Sequence, residues 1–185
     1  CHKLKEIKGI NNFNTSNVTT MKAMFSECKQ LQKLNLINFN TSNVIDMTYL
    51  FNEYNELNYL DISSFNTENV ESMLGMFNGC HKLKEIKGIN NLNTSMNTDF
   101  GGMFQTCYEL TYIDLTNFDT SNAILMYFMF NGCQNLKEIK GLNKFNTSKV
   151  NTMKSMFKDC HELEYLDLSS FNMVNITDMV CMFKE

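Results

Sequence analysis

The chain has 185 residues, a formal net charge of −4, seven cysteines, and neither proline nor tryptophan. Its basic residues form no uninterrupted block, so the charge pattern argues against a nucleic-acid-binding surface, which needs clustered positive charge. No apolar run approaches the roughly 18 residues that a membrane-spanning helix requires. We therefore expect no direct membrane insertion by this segment.

One motif, first seen as FNTSNVTTMKAMFSEC from residue 13, recurs to the end of the chain. Its last aromatic residue returns every 26 or 27 residues, at Phe25, Phe51, Phe77, Phe104, Phe130, Phe157 and Phe183. A fixed period in this range predicts a solenoid in which each unit packs only on its neighbours. We divide the chain into one domain of seven units: 1–27, 28–53, 54–79, 80–106, 107–132, 133–159 and 160–185. Because natural solenoids have atypical end caps, we expect a longer array.

The third unit, 54–79, shows the predicted elements in order. Leu57, Leu60 and Ile62 have the spacing L-x-x-L-x-L, whose final alternation is typical of a strand with one buried face. Polar residues then mark a turn, and the spacing from Met73 to Phe77 predicts a short helical or 3₁₀ turn. The predicted fold is an α/β leucine-rich-repeat-like solenoid of seven turns, with a parallel β-sheet on one face and helical or 3₁₀ turns on the other.

The motif resembles the BspA-like leucine-rich-repeat surface proteins, in the variety with repeats of about 26 residues. The sixth copy carries the clearest signature, at Phe145, Asn146, Thr147, Ser148, Val150, Met153, Met156 and Phe157, preceded by Cys133 and Leu136. The resemblance covers the whole chain. It implies a cell-surface or secreted location and the binding of proteins or host surfaces.

Three tyrosines recur on the predicted outer face of the strands. Tyr59, Tyr112 and Tyr165 stand 53 residues apart, so every second strand in that part of the chain presents one. Tyrosine supplies rigid, amphipathic contact area of the kind enriched in binding hot spots. It is also a good strand former, so the row has two interpretations, a partner-binding stripe and a structural filler.

A second candidate patch lies in the fifth unit, where residues 123–130 read AILMYFMF. Ile124, Leu125, Tyr127 and Phe128 are apolar where other units place Thr, Lys, Ser or Gly at many of these positions. Surplus apolar residues on a convex face indicate a contact with another chain or segment. The alternative is wider local packing.

The cysteines and histidines do not form a convincing reactive or metal site. Six cysteines share one position of the repeat, and stacked turns hold their Cβ atoms farther apart than a disulfide prefers. We expect buried free thiols that act as small apolar fillers. The three histidines are at least two turns apart and cannot share a site. No nucleophile elbow, phosphate loop or metal-ligand spacing occurs, so we predict no enzyme, cofactor or metal.

Two functions from different classes fit this pattern. The first is a non-enzymatic, adhesin-like binding module that presents an open sheet face to a protein or host-surface ligand. The second is a structural stalk or self-associating filament, in which the partners are further copies of the same array. Near-identity between units, as in HKLKEIKGIN at residues 2 and 81, favours the stalk. The tyrosines and the unusual fifth unit favour binding.

Overall fold

Equivalent residues of successive units lie side by side along the molecule. The structure is a computed structural model that describes residues 1–185. Single parallel β-bridges join seven equivalent positions into one row: Thr20, Asp46, Ser72, Asp99, Leu125, Thr152 and Asp178. The backbone therefore advances by one layer for each copy of the motif, which is the behaviour of a repeat fold.

The segment after each bridge is a ribbon of consecutive turns. In the first unit Met24 N–H donates to Met21 C=O of the same unit, whereas Met21 N–H donates to Asp46 C=O in the next unit. Alternate residues continue this scheme, since Ala23 N–H donates to Thr48 C=O at 2.9 Å. Half of the N–H groups thus close turns and the other half join neighbouring units, which satisfies the backbone without regular secondary structure.

This ribbon replaces the short helical turn that the Met and Phe spacing predicts, and that expectation is wrong. Most units have two positions with positive φ in this ribbon, and the first of them has a φ angle of 52° to 57° in every unit: Ala23, Tyr49, Gly75, Gly102, Phe128, Ser155 and Cys181. A residue with positive φ at this place in a turn fits a type II turn and interrupts a right-handed helix. The three-residue spacing of the buried side chains is the same in both arrangements, so the sequence pattern does not separate them.

Four short strands and three 3₁₀ helices make up the regular structure. Strands β1 (Tyr59–Asp61) and β2 (Glu85–Lys87) pair in parallel, as do β3 (Tyr112–Asp114) and β4 (Glu138–Lys140). The 3₁₀ helices are η1 (Ile10–Asn12), η2 (Ile89–Asn91) and η3 (Leu142–Lys144), and each follows a glycine with positive φ. Four of the seven strands that the L-x-x-L-x-L pattern predicts are formed, one in each of the third to sixth units, and they make two separate two-stranded sheets instead of one continuous sheet. The equivalent segments of the first, second and seventh units, including the one that contains Tyr165, form no strand.

The interior is one apolar cluster of 48 buried residues that runs through the whole chain. A stack of phenylalanine rings from successive units runs along it, with centroids 5.6–5.8 Å apart and nearly parallel planes, and ends at the exposed Phe183: Phe25, Phe51, Phe77, Phe104, Phe130, Phe157 and Phe183. This spacing lies within the favourable range for offset aromatic stacking. Each ring therefore stabilises the next unit as well as its own.

The Asn-Thr-Ser corner holds the units together on another edge. The Thr41 hydroxyl donates to Asn66 C=O at 2.7 Å and accepts from Asn66 N–H at 2.8 Å. The asparagine then closes its own turn, because Asn66 Oδ1 accepts from Glu68 N–H. The corner threonines are buried, which fits the structural hydrogen-bonding role expected of this motif.

Candidate functional site

The outer face of the two sheets carries ion pairs between neighbouring strands. Lys87 Nζ lies 2.9 Å from Asp61 Oδ2, and Lys140 Nζ lies 3.0 Å from Asp114 Oδ2. The Ser63 hydroxyl donates to Asp61 Oδ1 at 2.6 Å. The hydrogen bonds from Ser63 and Lys87 hold the pKa of the Asp61 carboxyl well below its usual range. These pairs fix the register within each sheet.

The predicted tyrosine row lies on this same face. Tyr59, Tyr112 and Tyr165 are 43%, 45% and 77% exposed, respectively. The register pairs Tyr59 with Glu85 and Tyr112 with Glu138, so exposed glutamates alternate with the tyrosines. The fold thus places the three tyrosines in one row but keeps their rings apart.

A groove, which we call groove A, opens between β2 and β3. Its volume is about 400 Å³, and residues 84–90 form one wall while residues 112–114 form much of the other. No backbone hydrogen bond joins the two strands, although the Asn117 side chain donates to Asn90 C=O below them. Apolar Ile86 and Ile113 and polar Glu85 and Tyr112 all line the opening.

An equivalent opening, groove B, follows β4. Residues 138–143 and 165–167 line it, and its volume is about 240 Å³. Glu138, Asn143 and Tyr165 stand where groove A has Glu85, Asn90 and Tyr112. A further groove of about 440 Å³ between the second and third units has Ile37 and Asn35 on its wall and no tyrosine. Two of the three predicted tyrosines therefore stand at the edge of a groove.

The sequence analysis missed both grooves, although one signal points to them. Units of 27 residues carry one extra residue at the glycine before η2 and η3. A Cβ atom added to Gly88 would lie 2.6 Å from Ser63 Cα, and one on Gly141 would lie 2.5 Å from Thr116 Cα. The extra residue in each of these units therefore packs tightly on the preceding unit. Grooves A and B open on the other side, toward the following unit.

The second predicted patch is only partly exposed. Ile124 is exposed, whereas Leu125, Tyr127 and Phe128 are half-buried. The rings of Tyr127 and Phe128 meet edge to face at 5.8 Å, and the Tyr127 ring covers Gly101. Burial, the nearby Asp99 carboxyl and Tyr49 raise the pKa of Tyr127. Part of this apolar surface thus packs on its own chain. It lies along the row of single β-bridges that contains Leu125, which is separate from the tyrosine row.

Five of the six cysteines at the shared position are buried in the core as free thiols, whereas Cys1 is exposed. Cys107 Sγ donates to Phe77 C=O at 3.2 Å, and Cys133 Sγ donates to Phe104 C=O at 3.0 Å. Burial raises the pKa of the Cys80 thiol to about 12. Such thiols are poor nucleophiles and poor metal ligands. No group of three or more His, Cys, Asp or Glu side chains is arranged to hold a metal ion.

Comparison with known proteins relates the chain to one family and to a solved fold. The DUF285 family, described as "Mycoplasma protein of unknown function", matches residues 1–112 and 98–185. A leucine-rich repeat protein from Eubacterium ventriosum, known from a crystal structure, superposes with a TM-score of 0.59 at 20% sequence identity. The alignment covers 93% of this chain and 43% of that protein, so the chain spans less than half of its length. No curated protein sequence matches the chain significantly.

Proposed function

Since the chain belongs to the DUF285 family of BspA-like leucine-rich repeats, we propose that it is a binding module of a surface or secreted protein. The family is one of unknown function, and the related fold is that of a repeat protein and not of a known enzyme class. We infer that the seven units form one solenoid without enzymatic activity. Its tyrosine-bearing strand face contacts a protein or host-surface ligand.

The observation that carries this proposal is the exposure of the tyrosine row. A purely structural tyrosine on a strand packs against its neighbours, but Tyr112 leaves almost half of its surface in solvent beside groove A. Aromatic side chains with one free face are common at the centre of binding sites. The Lys87–Asp61 and Lys140–Asp114 ion pairs hold the strands in register, so the backbone that carries Tyr59 and Tyr112 is fixed.

A variant with all three tyrosines replaced by serine tests the proposal. We expect the fluorescently labelled wild-type chain to bind cultured epithelial cells, and the Tyr59→Ser, Tyr112→Ser, Tyr165→Ser variant to lose most of that binding. Its melting temperature should change little, because the rings are exposed. Unchanged cell binding, or a large fall in stability alone, would remove the binding claim. Ile124→Ser is the matched test for the second patch.

A structural stalk is the second candidate function. The bridge row and phenylalanine stack continue through all seven units, and the repeated HKLKEIKGIN sequence gives distant units nearly the same surface. Light scattering over a range of concentrations distinguishes the two functions. Growth in mass with concentration favours a filament of further copies, whereas a constant monomer mass favours the binding module. None of the helices is long and apolar enough to span a membrane.

A further inference from the structure

We propose that the tyrosine row binds a linear, neutral, β-1,4-linked polysaccharide that lies along the molecule and crosses successive units. This inference rests on the proposed binding function and names the chemical class of its ligand. The relevant surface is a row of five residues at equivalent repeat positions: Tyr59, Glu85, Tyr112, Glu138 and Tyr165. The strand register sets Tyr59 beside Glu85 and Tyr112 beside Glu138. Exposed rings alternate in it with exposed carboxylates.

The spacing of the rings favours a polymer with a matching repeat. The equivalent core phenylalanine rings of neighbouring units are 5.6–5.8 Å apart, so tyrosines on every second unit are roughly 11 Å apart. In a β-1,4-linked pyranose chain successive rings are turned over, and every second ring presents the same face at about this distance. An extended peptide presents equivalent side chains every two residues, or about 7 Å, and falls out of step with the tyrosines.

The chemistry of the row also fits a polyhydroxylated ligand. A tyrosine ring offers a flat apolar face and a hydroxyl at its tip, which suits the apolar face and polar edge of a sugar ring. Glu85 and Glu138 make no ion pair, so their carboxylates remain available to accept hydrogen bonds from hydroxyl groups. Grooves A and B provide space beside Tyr112 and Tyr165 for ring substituents.

The charges of the row exclude an anionic polymer. Lys84 and Lys87 line groove A together with Glu85 and Asp114, and Lys140 lines groove B together with Glu138 and Asp167, so neither groove has a net positive charge. A sulfated or uronic-acid chain placed along the tyrosines would meet Glu85 and Glu138 at close range. The chain as a whole is also acidic. Electrostatic complementarity therefore selects a neutral glycan.

Isothermal titration with oligosaccharides of defined length tests the inference. We expect cellohexaose or chitohexaose to bind about 10²-fold more tightly than the corresponding disaccharide, because a hexamer contacts more than one tyrosine at once. Heparin hexasaccharide, which is anionic, and maltohexaose, which has α-linkages, should not bind. Failure of both β-1,4-linked hexamers overturns the inference, as does equal affinity for the disaccharides. Preferential binding of heparin overturns it as well.

Variants locate the site and separate this inference from the broader proposal. Tyr112→Ser should weaken hexaose binding at least about tenfold, and Glu138→Gln should weaken it less. Tyr49→Ser is the matched control, because Tyr49 has similar exposure but lies outside the row. If Tyr49→Ser weakens hexaose binding as much as Tyr112→Ser does, the assignment of the site to the tyrosine row is overturned. Tyrosine-dependent cell binding without hexaose binding refutes the glycan ligand alone, whereas cell binding that survives the triple substitution refutes the proposed function.

Discussion

Tyr54 is the residue that departs most clearly from its position in the repeat. It stands where most units have cysteine, is fully buried, and its hydroxyl has no hydrogen-bond partner. Burial, followed by the nearby thiols of Cys28 and Cys80, raises its pKa. A buried hydroxyl without a partner costs stability, because it loses its hydrogen bonds to water.

Replacement of this residue by phenylalanine should therefore stabilise the protein. We expect Tyr54→Phe to raise the free energy of unfolding by about 1 kcal/mol, measured by urea denaturation. Tyr165→Phe removes an exposed hydroxyl and is the control, with a change within about 0.5 kcal/mol. A destabilised Tyr54→Phe variant would show that the hydroxyl is satisfied in solution.

The Asp61 carboxyl should make stability depend on pH in the acid range. Its pKa is lower in the folded chain than the value of about 4 usual in unfolded chains. Its contribution is therefore present above that value and is lost as the pH falls through the folded pKa. We expect Asp61→Asn to be less stable than the wild type at pH 7, by less than about 1 kcal/mol for such an exposed pair.

The comparison of unfolding curves from pH 7 to pH 2 checks this expectation. The difference between Asp61→Asn and the wild type should shrink as the pH decreases. Glu85→Gln removes a carboxylate on the adjacent strand that makes no ion pair, and it serves as the control. A constant difference across the range would contradict the ion-pair explanation.

At the scale of elements, the position of each strand that forms was predictable, but the number of strands and their grouping into sheets were not. The alternation around Leu60 and Ile113 predicts β1 and β3, since one buried face fixes the pattern. The opposite charges of Lys87 and Asp114 also alternate across groove A, yet no backbone bond closes that junction. Charge pairing alone does not close the sheet. The alternation of buried and exposed side chains reports which face of a strand is buried, but not which neighbouring strands form backbone hydrogen bonds.

The turn ribbon was mispredicted for a different reason. The spacing of Met73, Met76 and Phe77 reports which side chains are buried but not the sign of φ between them. Gly75 and Gly102 signal a positive φ, whereas Tyr49 and Phe128 at the equivalent position conceal it. Only the repeat as a whole, with glycine in some copies, carries the information.

The insertion before η2 gives a prediction at this scale. A Cβ on Gly88 would collide with the Ser63 backbone, whereas a Cβ on Gly9 meets only the Asn12 side chain at 3.9 Å. Both glycines have positive φ, so alanine strains both by about 1–2 kcal/mol. We expect Gly88→Ala to cost about 3 kcal/mol or more, because the collision adds to this strain.

Gly9→Ala is thus the matched control that isolates the collision, with urea unfolding as the measurement. Gly141→Ala should reproduce the larger effect, since its Cβ would meet the Thr116 backbone. Equal costs at Gly9 and Gly88 would mean that the preceding unit yields to the added atom. The close packing of Gly88 on Ser63 would then not be the reason that groove A opens.

For the whole molecule, stability is shared between neighbours through the phenylalanine stack. Phe104 is fully buried between Phe77 and Phe130, whereas Phe183 is 59% exposed and stacks only on Phe157. In a repeat fold an interior contact supports two interfaces and an outer one supports a single interface. The position of a residue along the stack therefore decides how much its loss costs.

Truncation at these two positions measures this dependence. Phe104→Ala should lower the free energy of unfolding by about 3–5 kcal/mol, and Phe183→Ala by less than about 1.5 kcal/mol, because its ring is more than half exposed. Thermal and urea unfolding provide the values. Phe104→Leu is the milder variant if the alanine variant does not fold. Equal losses at both positions would contradict stabilisation through stacked neighbours.

The turn ribbon, finally, has a genetic consequence. Each unit offers its successor the same row of N–H donors as its predecessor offered to it, whatever the side chains outside the core. Recombination that inserts or deletes the gene segment for two units therefore leaves matching hydrogen-bond donors and acceptors at the new junction. Within the third to seventh units, each such event adds or removes one tyrosine of the row, so the length of the contact surface changes in steps while its periodicity stays the same.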